Sequence, residues 1–196
     1  MDSWGAASYR SRKPSSVRVE QDDAALAFVS TYDAIAARIG PAGAVCELGV
    51  NRGISLTMWL ERFPDGIVVG VDNQESCVWP EGTIKVVCSQ VDPNLSSLVR
   101  RYSPAGYDLV IDDCSHEARL TKASWEMLWP IVRPGGFYVI EDWELGFPSS
   151  PLHYAFGDAN VVMAKNFIDL LDYPGKQDID SIEYRYGMIV LRKAVR

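Results

Sequence analysis

No stretch of this sequence approaches the roughly 20 consecutive apolar residues of a membrane-spanning helix. Its opening run, MDSWGAASYRSRKPSS, lacks the apolar segment of a secretory signal. A cytoplasmic protein with no membrane partner is expected. Positive charge is also scarce, since 19 Lys and Arg against 26 Asp and Glu leave a net charge of -7. Phosphate backbones repel such a chain at long range, so the expected partner is a small or neutral molecule and not a nucleic acid. The four cysteines (Cys46, Cys77, Cys88, Cys114) form no C-x-x-C pair and no metal-finger spacing. They read as small buried hydrophobes in a reducing compartment. Cys114 stands apart because it falls inside the strongest motif. Disorder and coiled coil are excluded by a hydrophobic share of 47% and a charged share of 23%, both ordinary for globular proteins.

What is present is an alternation of short apolar runs and helical patterns. Residues 1–20 form a polar arm, expected to be mobile or to act as a flap, and residues 21–196 are expected to form one domain. Asp23 to Ile39 repeats apolar residues at helical spacing and stops at Gly40-Pro41. Strands are expected at Ala44–Gly49, Ile67–Asp72, Ile84–Cys88, Asp108–Asp113 and Phe137–Asp142, the last entered through a Pro134-Gly135-Gly136 turn. Helices are expected at Gly53–Phe63, Pro93–Tyr102 and after His116, where Leu120, Ala123, Met127, Leu128 and Ile131 share a face. Near-continuous Val/Ile strands between helices indicate a parallel sheet covered on both faces. Residues 143–160 are loop-like, Val161–Leu171 is helical, and Asp180–Tyr186 with Met188–Lys193 form a hairpin turning at Gly187. The fold class is α/β, mostly parallel, with an antiparallel ending.

Acids and polar side chains collect where these strands end: Glu47, Asp72, Ser89-Gln90, Asp112-Asp113 and Glu141-Asp142. In an open parallel sheet the ligand crevice lies at those carboxyl ends, and acids gathered there repel one another unless a ligand or cation neutralises them. The first turn, Gly49-Val50-Asn51-Arg52-Gly53, has neither the G-x-G-x-x-G of a dinucleotide site nor a Gly-Lys-Ser/Thr ending. Asp72 follows at about the 20 residues expected of an acid that grips ribose hydroxyls. A glycine turn and a ribose acid without a pyrophosphate fingerprint point to S-adenosylmethionine. Asp113, Glu141 and Asp142 would make a hard oxygen site suited to magnesium or another divalent cation, and unlike zinc. Asp113 has the alternative of starting the next helix. His116 is expected at that helix start, which favours a neutral imidazole able to accept a proton. His153, beside Tyr154 and Phe156, is either a pocket wall or a surface position.

ELGVNRGISLTMW, the GVD ending at Asp72, CSQVDP, IDDCSH, the PGG turn and VIEDW together resemble the class I, metal-dependent sugar O-methyltransferases. The likeness, over about residues 44–193, is to mycinamicin-type macrolide-sugar enzymes and bacterial polysaccharide methyltransferases. It implies a Rossmann-like sheet of seven strands with the last antiparallel. It also implies that Glu47, Gly49, Gly53 and Ser55 surround the methionine part of the cofactor, that Asp72 holds the ribose, and that Ser89 and Gln90 lie near the adenine. Asp112, at the same rim, is counted with the cofactor-binding residues. Asp113, Glu141 and Asp142 would be the magnesium ligands and His116 the general base. The chain departs from the family at Cys114, where glycine is frequent, and at Cys88-Ser89, where Gly-Asp is frequent.

The implied reaction is methyl transfer to a hydroxyl of a sugar, whether oligosaccharide, polysaccharide or glycosylated natural product. A catechol-type or other small-molecule O-methyltransferase is the alternative, given Trp143 and Phe147, and a non-catalytic S-adenosylmethionine-binding protein is the rival from another class. Acceptor identity and homo-oligomerisation do not carry over from the resemblance.

Overall fold

The computed structural model describes residues 18–146, 161–171 and 178–195. Seven strands, β1 (Ala44–Leu48), β2 (Ile67–Asp72), β3 (Ile84–Val87), β4 (Tyr107–Asp112), β5 (Val132–Glu141), β6 (Ile179–Arg185) and β7 (Met188–Lys193), form one sheet in the order β3-β2-β1-β4-β5-β7-β6. β1 to β5 are parallel, and β7 runs antiparallel between β5 and β6. This is the expected mostly parallel sheet with an antiparallel last strand.

Among the described residues five helices flank it: α1 (Arg18–Ile39), α2 (Ile54–Arg62), α3 (Leu95–Arg100), α4 (Ala118–Leu128) and α5 (Val161–Leu171). Successive strand residues point to opposite faces. Val45, Leu109, Ile111 and Val139 therefore pack against Phe28, Tyr32 and Ile35 of α1 and Leu56 and Trp59 of α2. Cys46, Leu48, Val110, Tyr138 and Ile140 meet Val99 of α3, Trp125 and Leu128 of α4, and Met163 and Phe167 of α5. Coverage on both faces is why β1 is buried at every position and carries no polar–apolar alternation. Each large apolar side chain enclosed this way contributes about 1.5–3 kcal/mol.

Several boundaries differ from expectation for identifiable reasons. α1 begins at Arg18 instead of Asp23, because Arg, Glu and Gln favour helix without adding to the apolar period. The polar arm expected over residues 1–20 otherwise lies outside the described residues. α1 stops as expected, with Gly40 at φ 84° donating its N–H to the Ala36 carbonyl at 2.9 Å. Pro134-Gly135-Gly136 is a bulge within β5 instead of a turn before it, since Tyr107 pairs Val132 while Leu109 already pairs Phe137. The buried face of α4 is Thr121, Ser124, Trp125 and Leu128; of the expected stripe, Leu128 and Ile131 are buried, whereas Leu120, Ala123 and Met127 are half-buried. Ser124 takes part because it donates to the buried Asp112 carboxylate. The β6–β7 turn is Tyr186-Gly187, with Gly187 at φ 72°. Of the loop expected over 143–160, Trp143–Gly146 is a turn of 3-10 helix, and the remainder, with His153, lies outside the described residues.

The chain runs outward from β1 to β3 and returns to place β4 on the other side of β1. That reversal opens a crevice at the carboxyl ends of β1 and β4.

Candidate active site

The loops after β1, β2, β3, β4 and β5 surround a cavity of about 780 Å³, closed on one side by Phe28, Val29 and Tyr32 of α1. Its floor depends on one close approach. Gly49, at φ 92°, lies against the loop after β4 so tightly that a Cβ would run into the Asp113 carbonyl oxygen. The Asp113 N–H donates to the Leu48 carbonyl at 3.0 Å, which ties that loop to the end of β1. Gly53 is spent on packing as well: a Cβ there would meet the Val78 carbonyl, and it does not line the cavity.

At one end, Asp72 closes β2 and organises the turn opposite. Its Oδ2 accepts from the N–H of Val50 at 2.8 Å and of Asn51 at 3.4 Å, and its Oδ1 accepts from Gln74 N–H at 2.8 Å. Partial burial pushes this carboxyl up, but the Val50 and Gln74 N–H groups, the Cys77 thiol and Asn51 outweigh it and hold Asp72 below the ordinary carboxylate range. Ser55, Ser89 and Gln90 also line the cavity. Gln90 is 6% exposed and its Nε2 meets no partner among the described residues. Gln90 borders the cavity, and a buried amide with an unmet donor suits a polar ligand edge.

Glu47 is not on the cavity surface. It is 1% exposed and accepts from Ser55 Oγ and, at 2.5 Å, from Trp59 Nε1, so it anchors the start of α2 from below. Asp112 also turns away, which departs from the expected placement beside the cofactor. It follows the strand alternation onto the α4 face, 2% exposed, accepting from Ser124 Oγ and from Tyr138 O–H at 3.4 Å. Burial raises its carboxyl to about 6, although Ser124 opposes the shift.

At the other end, Asp113, His116 and Asp142 converge, with one potential ligand atom of each within 4.8 Å of the others. His116 Nε2 lies 3.9 Å from Asp113 Oδ1 and 3.8 Å from Asp142 Oδ2, and the three side chains are 13%, 8% and 13% exposed respectively. Glu141 borders this trio, and its Oε1 accepts from Tyr32 O–H at 2.5 Å. Burial, then Asp113 and Asp142, push the Glu141 carboxyl well above its ordinary range. His116 precedes α4 by two positions, outside its first turn, so the loop orients the imidazole more than the helix end does. Cys114, raised to about 12 by burial and by Asp112, Asp72 and Asp113, is no nucleophile near neutral pH.

Asn51, His116 and Asp142 are the non-glycine residues with positive φ among the described residues, at 48°, 58° and 55°, and all three line the cavity. Such conformations persist where surrounding structure over-determines them, and they cluster at functional sites. The Asp142 N–H donates to the Gly187 carbonyl at 2.7 Å, so the β6–β7 turn holds one of them in place. Among the described residues, the cavity wall carries Asp72, Asp113, Glu141, Asp142 and Glu144 against the single cation Arg52. Its field therefore favours positively charged ligands. The α1 wall (Phe28, Val29, Tyr32) escaped sequence reasoning, because its apolar spacing looks the same whether a helix face covers a core or a cavity.

Residues 46–143 match the family model described as a methyltransferase domain. The chain is 38% identical over 148 residues to demethylmacrocin O-methyltransferase of Streptomyces fradiae, covering 70% of this chain and 32% of that protein. It is 42% identical over 116 residues to mycinamicin VI 2''-O-methyltransferase of Micromonospora griseorubida, covering 53% and 28%. The structure of the mycinamicin-pathway methyltransferase MycE with Mg, SAH and mycinamicin VI superimposes with a TM-score of 0.72 at 28% identity, over 98% of this chain and 54% of that one. The chain thus spans about a third of the length of these curated relatives.

Proposed function

Because the chain belongs to this methyltransferase family, we propose that it transfers a methyl group from S-adenosylmethionine to a hydroxyl of a sugar on a glycosylated natural product or oligosaccharide, aided by a divalent cation. The observation that carries the reading is the convergence of Asp113, His116 and Asp142 within 4.8 Å at one end of a cavity whose other end is organised by Asp72. The residues suit both groups. The unmet Gln90 amide offers a donor to a base edge, and the acid-rich wall complements a sulfonium. Hard oxygens with one imidazole suit magnesium or manganese.

Asp72 would accept the ribose hydroxyls, Ser89 and Gln90 would border the adenine, and Ser55 and the Gly49 turn would face the methionine part. Glu47 would act from beneath by fixing Ser55 and Trp59. Asp113 and Asp142, with Glu141 alongside, would hold the cation. When bound, the cofactor supplies an electrophilic methyl group and the cation acidifies and orients a hydroxyl. His116 Nε2 would take the proton that the acceptor hydroxyl gives up as its oxygen is methylated. General-base assistance of this kind is worth about 10²–10⁴-fold. Phe28, Val29 and Tyr32 restrict water on the acceptor side.

A second reading of His116 is favoured by its distances to the two aspartates, which also suit a third cation ligand beside them. Labelled methyl transfer to a panel of glycosides and oligosaccharides, with and without chelator, tests the proposal. Activity that requires Mg²⁺ and a sugar hydroxyl supports it. Full activity after chelation refutes the role of the cation, and transfer only to catechols refutes the sugar.

A further inference from the structure

We propose that Tyr32 is a positioning residue of the cation site, its phenol fixing the Glu141 carboxylate beside Asp113 and Asp142. This rests on the cation reading above and concerns a residue that lies outside the matched segment 46–143.

Three observations place Tyr32 in this role. Its O–H donates to Glu141 Oε1 at 2.5 Å, across 109 residues of sequence. Its ring is 3% exposed and stands edge-on against Trp59, with centroids 4.7 Å apart and planes at 88°. Trp59 is itself fixed by donating Nε1 to Glu47 at 2.5 Å, so the phenol is held at both ends. α1 is seated over the site independently, with the Phe28 ring against Gly187 and Thr31 Oγ1 accepting from Arg185 Nη1 at 3.3 Å.

The chemistry explains why a phenol serves here. Glu141 lies beside two further carboxylates, which repel its charge and would turn it aside. A Lys or Arg would fix it more strongly but would place a positive charge against the cation the site is to hold. A neutral O–H fixes one carboxylate oxygen without that repulsion. Partners behind a ligating group, by orienting it, typically change metal affinity by about 10–100-fold.

The test uses Tyr32→Phe, which keeps the ring against Trp59 and deletes only the donor. Mn²⁺ affinity, followed by the electron paramagnetic resonance of the free ion, is expected to fall about 10–100-fold. S-adenosylhomocysteine affinity is expected to stay at the wild-type value, and the thermal unfolding midpoint to fall by no more than the few degrees that loss of one buried hydrogen bond brings. In a Glu141→Ala background, Tyr32→Phe should bring no further loss of Mn²⁺ affinity. Wild-type Mn²⁺ affinity in Tyr32→Phe overturns the proposal, and so does an equal loss with and without Glu141. Wild-type protein that fails to bind Mn²⁺ overturns the cation reading itself, a result distinct from the other two.

Discussion

Replacing Asp72 by Asn keeps the size of the side chain and removes its charge, and the hydrogen bonds around it set the expected loss. Asp72 uses both oxygens at once, Oδ2 for Val50 and Asn51 and Oδ1 for Gln74. An amide has one acceptor oxygen. Whichever way Asn is turned, its NH₂ faces a backbone N–H, so one side of the carboxylate's network is lost. Bonds to a charged acceptor are worth about 1.5–3 kcal/mol, and partial exposure of Asp72 argues for the lower part of that range. Loss of one such bond, together with the charge that would face the ribose, predicts a 10–100-fold weaker Kd for S-adenosylhomocysteine, at about 1.4 kcal/mol per decade. Asp72→Ala should lose more, because the Val50-Asn51 turn then has no acceptor on that side. Isothermal titration calorimetry measures both. The pH dependence has a definite sign. The folded carboxyl lies below its ordinary value, so its contribution is present above about 3.9 and fades only as pH falls through the lower folded value. The Asp72 share of affinity should therefore be flat from pH 8 to 5. An Asp72→Asn protein with wild-type affinity would refute the reasoning.

His116→Ala is expected to lower kcat by about 10²–10⁴-fold with Mn²⁺ affinity within threefold of wild type. A defect mainly in Mn²⁺ binding would instead make His116 a ligand. Asp112, raised to about 6 by burial, is, with Glu141, a carboxylate whose ionisation opposes folding. The unfolded group ionises near 3.9, so stability should decline as pH rises from about 4 to 6. Chemical denaturation of Asp112→Asn should show a shallower decline than wild type, with the Glu141 share remaining. Gly49→Ala should fold poorly or not at all, because its Cβ meets the Asp113 carbonyl and φ 92° disfavours alanine. A soluble Gly49→Ala protein with unchanged thermal stability counts against that close approach.

Local pattern was sufficient for the strands and for the rim. Continuous Val/Ile runs between helical periods specify a sheet covered on both faces, and parallel strands gather their last residues at one edge. Asp72, Gln90, Asp113, His116 and Asp142 were legible for that reason, and all line the cavity. Direction was not legible. Asp112 and Asp113 are adjacent acids at one strand end, yet the pleat sends Asp112 under α4 to Ser124 while Asp113 enters the cavity. Glu47 is likewise carried beneath the turn to Trp59, because its neighbours Cys46 and Leu48 take the opposite face. The contact between Tyr32 and Glu141 had no signal at all. The apolar period of α1 marks a buried face but not what it covers, and only the packing of α1 across β5 and the β6–β7 turn brings that phenol to the acid. Periodicity is a property of neighbouring residues along the chain, whereas the partner of a buried polar group is chosen by which elements stack in space.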